Sequence, residues 1–424
     1  MRSRYKRNSI LLLAVLLLSA CGGGGGGGGS AGGGGNPPVV VDGTGPERID
    51  SAVAEVRSDF RIPGVAVAVV RNGRLVIAKA FGTADIAGQE PLRPDHLFRV
   101  ASVSKSVTGI AALKAADEGL LDLQAHAFSI LDDYRPPPGE GDARLADITV
   151  WHLMHHTPGW NLWGFPLDPI LRNQEIADEE MVPSPPDSDT LTRWVAKQPL
   201  AYEPGTRFSY TNIGFIVLGR VIEKSTGFAY EDFVRRFVFE PAGITRARVG
   251  GIGRADRLPD EVEYLSLQDS VWASVFDGNV TIQEPAYGGL NLPGFDASSA
   301  WVMSVVDMVR LAAATDGDPA YTEVLTSQRQ EQMIAVGTQS GQTAYGAGWF
   351  LTSNVAGQTV AWQHSGGMPG TATLLARLEN GVIFAVAANA DARGQIAQPL
   401  LSAVSGAVTG IRDWPTQDLF DQYP

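Results

Sequence analysis

The sequence predicts an α+β domain: one antiparallel sheet built from both ends of the chain, flanked by helices, with a mainly helical lobe inserted between the two sheet halves. Three observations carry this. Near each end, two β-branched runs are joined by Asn-Gly, as in "GVAVAVV-RNGR-LVIAKA" with Asn72-Gly73 and "TATLLARL-ENG-VIFAVAANA" with Asn380-Gly381. Asn-Gly between apolar runs is a strong hairpin signal, because both residues tolerate the positive φ that a tight hairpin turn needs. Between these hairpins, from about 100 to 335, the pattern is mostly helical and is broken by Pro- and Gly-bearing loops.

Taken in chain order, the first twenty residues lie outside the fold. "MRSRYKRNS" is a basic n-region and "ILLLAVLLLSA" an apolar h-region of signal-peptide length, too short to span a bilayer stably. The run stops at Cys21, the only cysteine, preceded by Leu18-Ser19-Ala20. This resembles the lipobox of bacterial lipoproteins, which implies a diacylated Cys21 as the new N-terminus. The alternative is an ordinary signal peptide that ends near a cysteine. Either way the chain is expected to be exported. With a lipid at Cys21 it is a membrane-anchored lipoprotein of the cell envelope, facing the periplasm. With no cysteine beyond Cys21, the exported domain folds without disulfides. The stretch "GGGGGGGGSAGGGGNPP" cannot bury apolar area against its chain entropy, so residues 22–43 are expected to be a disordered tether.

The folded part then starts at about residue 44. "ERIDSAVAEVRSDF" places Ile49, Val53, Val56 and Phe60 at helical spacing. The first hairpin follows, so the sheet lobe is expected to comprise about 44–100 and 336–424, and the helical lobe about 101–335. "TNIGFIVLGRVIEKSTG" is a clear helix closed by Thr226-Gly227, and a last helix is expected over about 395–410. Residues 161–198 are Pro- and acid-rich and weakly patterned, and read as loop and short helix bordering the cleft between the lobes. The 424 residues are 44% apolar and 19% charged, enough to bury a real core. A net charge of −13 argues against non-specific binding to nucleic acid.

The stretch "FRVASVSKSVTGI" carries the first chemical signal. A serine hydroxyl is a poor nucleophile unless a base takes its proton. Residues three apart are neighbours on a helix, and only Ser102 has a lysine, Lys105, at that distance. Ser104 has Val107 there and Ser106 has Gly109. A helix starting near Ser102 would leave that residue's N–H without an intrahelical partner and available to an oxyanion. A lysine in water is only roughly 0.04% neutral at pH 7, so a basic lysine needs desolvation or a second cation. The flanking "VASV" and "VTGIAAL" are apolar enough to supply desolvation. The tetrapeptide alone fits equally a helix-capping serine beside a lysine that reaches solvent.

Two further stretches add chemistry. "EPGTRFSYTNIGF" puts Tyr210 and Asn212 at the mouth of a strong helix: a phenol that can shuttle a proton, and an amide that can bind a substrate amide. "AWQHSGGMPG" precedes the C-terminal hairpin and reads as the end of an edge strand whose glycines let a substrate backbone approach.

Together and in this order, these stretches resemble the serine β-lactamase and penicillin-binding superfamily, in its class-C-like branch with the D-alanyl-D-alanine carboxypeptidases, D-aminopeptidases and β-lactamase-like esterases. The S-x-x-K element is "SVSK", the Y-x-N element "YTN", and the third element, K-T-G or H-x-G among relatives, is "HSG" at His364–Gly366. "ITVWHLMHHTPGW" and "YGAGW" are similar to the family's "HLLTHTSG" and "YGLGW" segments. The likeness spans about residues 46–410. It implies Ser102 as the acylated nucleophile and Lys105 with Tyr210 as the acid/base pair. It further implies Asn212, His364, Ser365 and Gly366 as substrate-binding residues, and the N–H groups of Ser102 and Gly367 as the oxyanion hole. No cofactor or metal is implied. The expected partners are a small ester, peptide or β-lactam substrate and, through Cys21, a membrane; the expected state is a monomer.

Two departures matter. β-Lactamases normally carry a lysine where this chain has His364, so attraction for a substrate carboxylate is weakened and β-lactam hydrolysis ranks below esterase or D-amino-acid peptidase activity. Where relatives often read G-G-L/Y, this chain has Ser299-Ala300-Trp301. Rival readings are weaker. "HLMHH", with His152, His155 and His156, lacks the H-E-x-x-H metal pattern, and no G-x-S-x-G elbow is present. Trp160, Trp163 and Phe165 in "WNLWGF" read equally as an acyl pocket or as buried packing. A non-catalytic penicillin-binding lipoprotein would be expected to have lost the serine, lysine or tyrosine.

Overall fold

The computed structural model describes residues 43–137, 139–162, 168–266, 272–337, 344–391 and 396–423. The leader, Cys21 and the glycine run lie outside the described residues, as do Trp163 and Phe165.

Both Asn-Gly signals become hairpins. Strands β1 (Gly64–Arg71) and β2 (Arg74–Gly82) meet at Asn72 and Gly73, which have φ of 51° and 68°. The C-terminal part supplies β3 (Ala344–Tyr345), β4 (Phe350–Ser353), β5 (Thr359–Met368), β6 (Thr371–Arg377) and β7 (Ile383–Ala388). They form one seven-stranded antiparallel sheet in the order β2-β1-β7-β6-β5-β4-β3, with β1 from the N-terminal part beside β7 from the C-terminal part.

β1 is apolar at successive positions because both faces of the sheet are covered. Val65, Val67 and Val69 pack under the helices Glu47–Phe60 and Ala397–Thr409, which bring the two ends of the described chain together. Ala66, Ala68 and Val70 face the main core, which continues through the helices Ser104–Asp117, Asn212–Thr226 and Val305–Ala313. The Asn212–Thr226 helix stops at Gly227, whose φ of 75° is the left-handed cap that the Thr-Gly signal predicts.

The region from 101 to 335 is not purely helical. Trp301–Met303 and Arg248–Val249 within it form a three-stranded sheet with Phe98–Arg99 just before it, and Trp272–Ala273 pairs with Thr281–Ile282. Strands of two or three residues are too short to show a period in sequence. Trp301 therefore starts a strand, and Ser304 then caps the next helix through a reciprocal bond with Asp307. Among the described residues no helix is long and apolar enough to cross a membrane.

Candidate active site

Ser102 does not lie on an α-helix. It sits in the middle of a 3-10 turn, Ala101–Val103, and the α-helix starts at Ser104. The turn follows directly from the short strand Phe98–Arg99, and Ala101 takes the left-handed φ of 48° to make the corner. A non-glycine residue there costs on the order of 1 kcal/mol, so the corner must be held from outside. Thr371 Oγ1 donates to the Arg99 carbonyl at 3.1 Å and Thr373 Oγ1 to the Val100 carbonyl at 2.9 Å, both from β6. The Val100 N–H donates to the Trp301 carbonyl at 2.9 Å.

The three serines of "FRVASVSKSVTGI" have three different partners. Ser104 Oγ accepts the Trp301 N–H at 3.1 Å, and Ser106 Oγ donates to the Gly348 carbonyl at 2.7 Å. Both are buried and tie the helix to its neighbours. Ser102 alone is half-buried, and its Oγ meets Lys105 Nζ at 3.1 Å. The "YGAGW" segment lies against this helix: a β-carbon at Gly109 would overlap the Ala347 carbonyl, and one at Gly348 would overlap the Lys105 carbonyl.

Lys105 is 0% exposed. Besides Ser102, its Nζ donates to Asn212 Oδ1 at 2.7 Å and to the Ser298 carbonyl at 2.9 Å. Those two oxygens are acceptors, so they take two hydrogens of the amine. A neutral amine then has its lone pair left for the Ser102 hydroxyl; an ammonium points its third hydrogen there. The Ser298 carbonyl is itself placed by its neighbours in the short helix Asp296–Ser299. Thr108 Oγ1 donates to the Ala297 carbonyl, and Arg220 pairs with Asp296 at 2.6 Å. Lys105 Nζ also stands 4.9 Å from the centre of the Tyr210 ring.

Tyr210 is held in an aromatic box. Its ring lies 4.3 Å from His156, 6.3 Å from Phe350 and 6.2 Å from His364. His156 accepts the Thr211 N–H on Nδ1. Burial and the adjacent Lys105 hold its ring well below the usual imidazole range, so it is neutral. His152 and His155 are engaged elsewhere, on the Thr149 N–H and the Trp151 carbonyl. Trp160 is buried edge-on against Phe128, which is packing and not pocket wall.

β5 presents "HSGG" beyond the end of β4, which pairs with it only as far as Gln363; among the described residues 364–368 pair with β6 alone. His364 is 1% exposed and is the cross-strand partner of Leu375 on the core face. Its Nδ1 lies 2.7 Å from the Ser365 carbonyl, and Nε2 lies 3.1 Å from Tyr345 Oη, so the ring donates to the carbonyl and accepts from the phenol. Burial pushes its pKa down to about 3, with Lys105 adding to the effect. His364 is thus a neutral group beneath the cleft, not a cation offered to a carboxylate. Ser365 pairs with Leu374, which packs with the outer helices; by strand alternation a substrate meets Ser365 through its backbone. Gly366 fits where a β-carbon would overlap the Val100 carbonyl, so it lets β5 close on the nucleophile turn. Gly367 follows it on β5, opposite Ala372 of β6.

One residue of the site was not anticipated. Asp168 is 6% exposed; its Oδ2 accepts the Asn212 Nδ2 hydrogen at 3.1 Å and its Oδ1 the Ile170 N–H at 3.1 Å. Burial raises its pKa to about 6 against the lowering effects of the Ile170 N–H, Lys105 and Asn212. A weak signal existed: Asp before Pro169 is a helix-start pattern.

A serine beside a buried lysine, a tyrosine boxed against that lysine, and the β5 strand seated on the serine's turn define an S-x-x-K serine hydrolase. The chain belongs to the Beta-lactamase family, whose sequence model matches residues 49–405. It is 27% identical over 317 residues to "Esterase EstB" of Burkholderia gladioli, covering 71% of this chain and 78% of that protein. It is 26% identical over 319 residues to a penicillin-binding protein of Bacillus subtilis (strain 168), covering 73% of this chain and 64% of that protein. Among solved structures, the fold is similar to a D-amino acid amidase from Ochrobactrum anthropi SV3 complexed with D-phenylalanine, with a TM-score of 0.63 and 22% identity over 86% of this chain and 99% of that one.

Proposed function

We propose that the protein hydrolyses a carboxylic ester or a D-amino-acid-containing amide through an acyl-enzyme on Ser102. The observation that carries this is the placement of Lys105 Nζ 3.1 Å from Ser102 Oγ with two of its hydrogens committed to Asn212 and Ser298. Ser102 Oγ attacks the substrate carbonyl carbon while its proton passes to the Lys105 amine. The oxyanion is received by the N–H groups of Ser102 and Gly367. The C–O or C–N bond breaks, and the leaving alcohol or amine takes a proton by way of Lys105 and Tyr210. Water then attacks the acyl carbon, with the same pair removing its proton, and releases the acid. Asn212, Gly366 and the Ser365 backbone line the approach of the substrate.

The buried, neutral His364 supports substrates that need no cation at this position, and on that ground esters and amides without a carboxylate rank ahead of β-lactams. The relatives named as esterase and D-amino acid amidase are in keeping with this order. The test is a comparison of rates on a p-nitrophenyl ester, a D-Ala-D-Ala peptide and a chromogenic cephalosporin. A cephalosporin turned over faster than the other two overturns the ranking.

The proposal includes an exported, lipid-anchored state. It rests on the basic and apolar leader ending at Cys21 and on the glycine run after it. Cys21→Ala should move the protein from the membrane to the soluble fraction; unchanged fractionation overturns it.

A further inference from the structure

We infer that Asp168 is a positioning residue of the hydrolytic site, the far end of a hydrogen-bonded line Asp168–Asn212–Lys105–Ser102 that fixes which way the Asn212 amide faces and balances the charge formed on Lys105. The inference rests on the serine-hydrolase reading and deepens it.

The geometry is directional. An asparagine amide can turn over, exchanging its oxygen and nitrogen. Here Asp168 Oδ2, an acceptor, faces Nδ2 at 3.1 Å, and that leaves Oδ1 to face Lys105 Nζ at 2.7 Å. Turned over, the amide would set a donor against a lysine that also donates, and Lys105 would swing off its line to Ser102. Asn212 opens its helix, so its own backbone does not choose between the two orientations. Asp168 is in turn held by the Ile170 N–H at 3.1 Å, in the turn that Pro169 opens.

Charge acts in the same direction. When Ser102 gives up its proton, Lys105 becomes an ammonium in a site from which water is largely excluded. An isolated buried cation is costly, and a carboxylate one residue away along the line offsets it. Three other ionisable groups near Lys105 do not serve. His156, behind Tyr210, and His364, on β5, are held neutral by burial. Asp296 of the Ser298 helix is paired with Arg220. Ser102 is a hydroxyl. Asp168 is the carboxylate that Asn212 connects to the lysine.

The experiment uses the full-length protein and the burst of p-nitrophenolate from p-nitrophenyl acetate, followed against pH, for wild type, Asp168→Ala and Asp168→Asn, with thermal unfolding run beside it. Asp168→Ala should slow the burst at least ~10-fold while KM moves less than about threefold, since a misplaced base costs acylation more than binding. Asp168→Asn, of the same shape, removes the charge; the rising limb of its pH profile should move to lower pH by about one unit, as expected when a lysine loses a nearby anion. Variants that fold and keep both the wild-type burst rate and the wild-type midpoint overturn the inference, and so does a change confined to the unfolding temperature. A wild-type protein that neither turns the ester over nor is acylated on Ser102 sinks the hydrolase reading itself, a different failure.

Discussion

Gly366 lies so close to the Val100 carbonyl oxygen that a β-carbon on it could not be accommodated; Thr373 Oγ1 and the Ala101 β-carbon close the same space. This contact seats the strand edge on the turn that carries Ser102. Gly366→Ala should therefore harm the site before it harms the fold. Overpacking of this kind costs roughly 1–3 kcal/mol. The burst on p-nitrophenyl acetate should fall at least tenfold, on the order expected for a displacement near 1 Å. A Gly366→Ala protein with wild-type burst rate and unfolding temperature would show that the close approach is not needed.

Ser104 and Ser106 are structural by their hydrogen bonds, and Ser102 is not. Ser104→Ala leaves the buried Trp301 N–H unpaired, and Ser106→Ala leaves the Gly348 carbonyl unpaired. Each should lower stability by about 1–3 kcal/mol, the cost of stranding a buried polar group. Hydrolysis at a temperature where both variants are folded should stay within a few-fold of wild type. Loss of acylation in either variant, equal to the loss in Ser102→Ala, would contradict the division of roles.

His364 gives a pH signature. Its folded pKa is near 3, below the ordinary value of 6.5. As pH falls through 6.5 the unfolded chain takes up a proton that the folded chain refuses. The stability His364 contributes is present above 6.5 and is lost progressively toward pH 3. Urea unfolding of wild type and His364→Gln should show wild type losing about 2 kcal/mol relative to the variant between pH 8 and pH 5. A difference that does not change with pH would mean that the ring is not buried in its neutral form.

Much of this was legible in the sequence, for physical reasons that can be named. Asn72-Gly73 reports a turn because few other residues accept its backbone, and Thr226-Gly227 reports a helix end for the same reason. The three-residue spacing of Ser102 and Lys105 survived even though Ser102 sits in a 3-10 turn, because three residues bring side chains together in either helix type. What escaped depends on contacts between distant segments. Asp168 acquires its part only when it packs against Asn212, 44 residues on. The strand Trp301–Met303 exists because Phe98–Arg99 and Arg248–Val249 lie beside it, and no local pattern announces that. The type of residue at His364 was readable, but its burial under Tyr345 was not.

The central claim is that Ser102 becomes acylated with Lys105 as its base. Intact-mass measurement during turnover of a p-nitrophenyl ester tests it most directly. The account predicts a gain in mass equal to the acyl group on the wild-type protein, mapped to the peptide containing Ser102, and no gain on Ser102→Ala. Lys105→Met should fold and show no burst. Full hydrolysis by Ser102→Ala, or an adduct mapped to another residue, would contradict it.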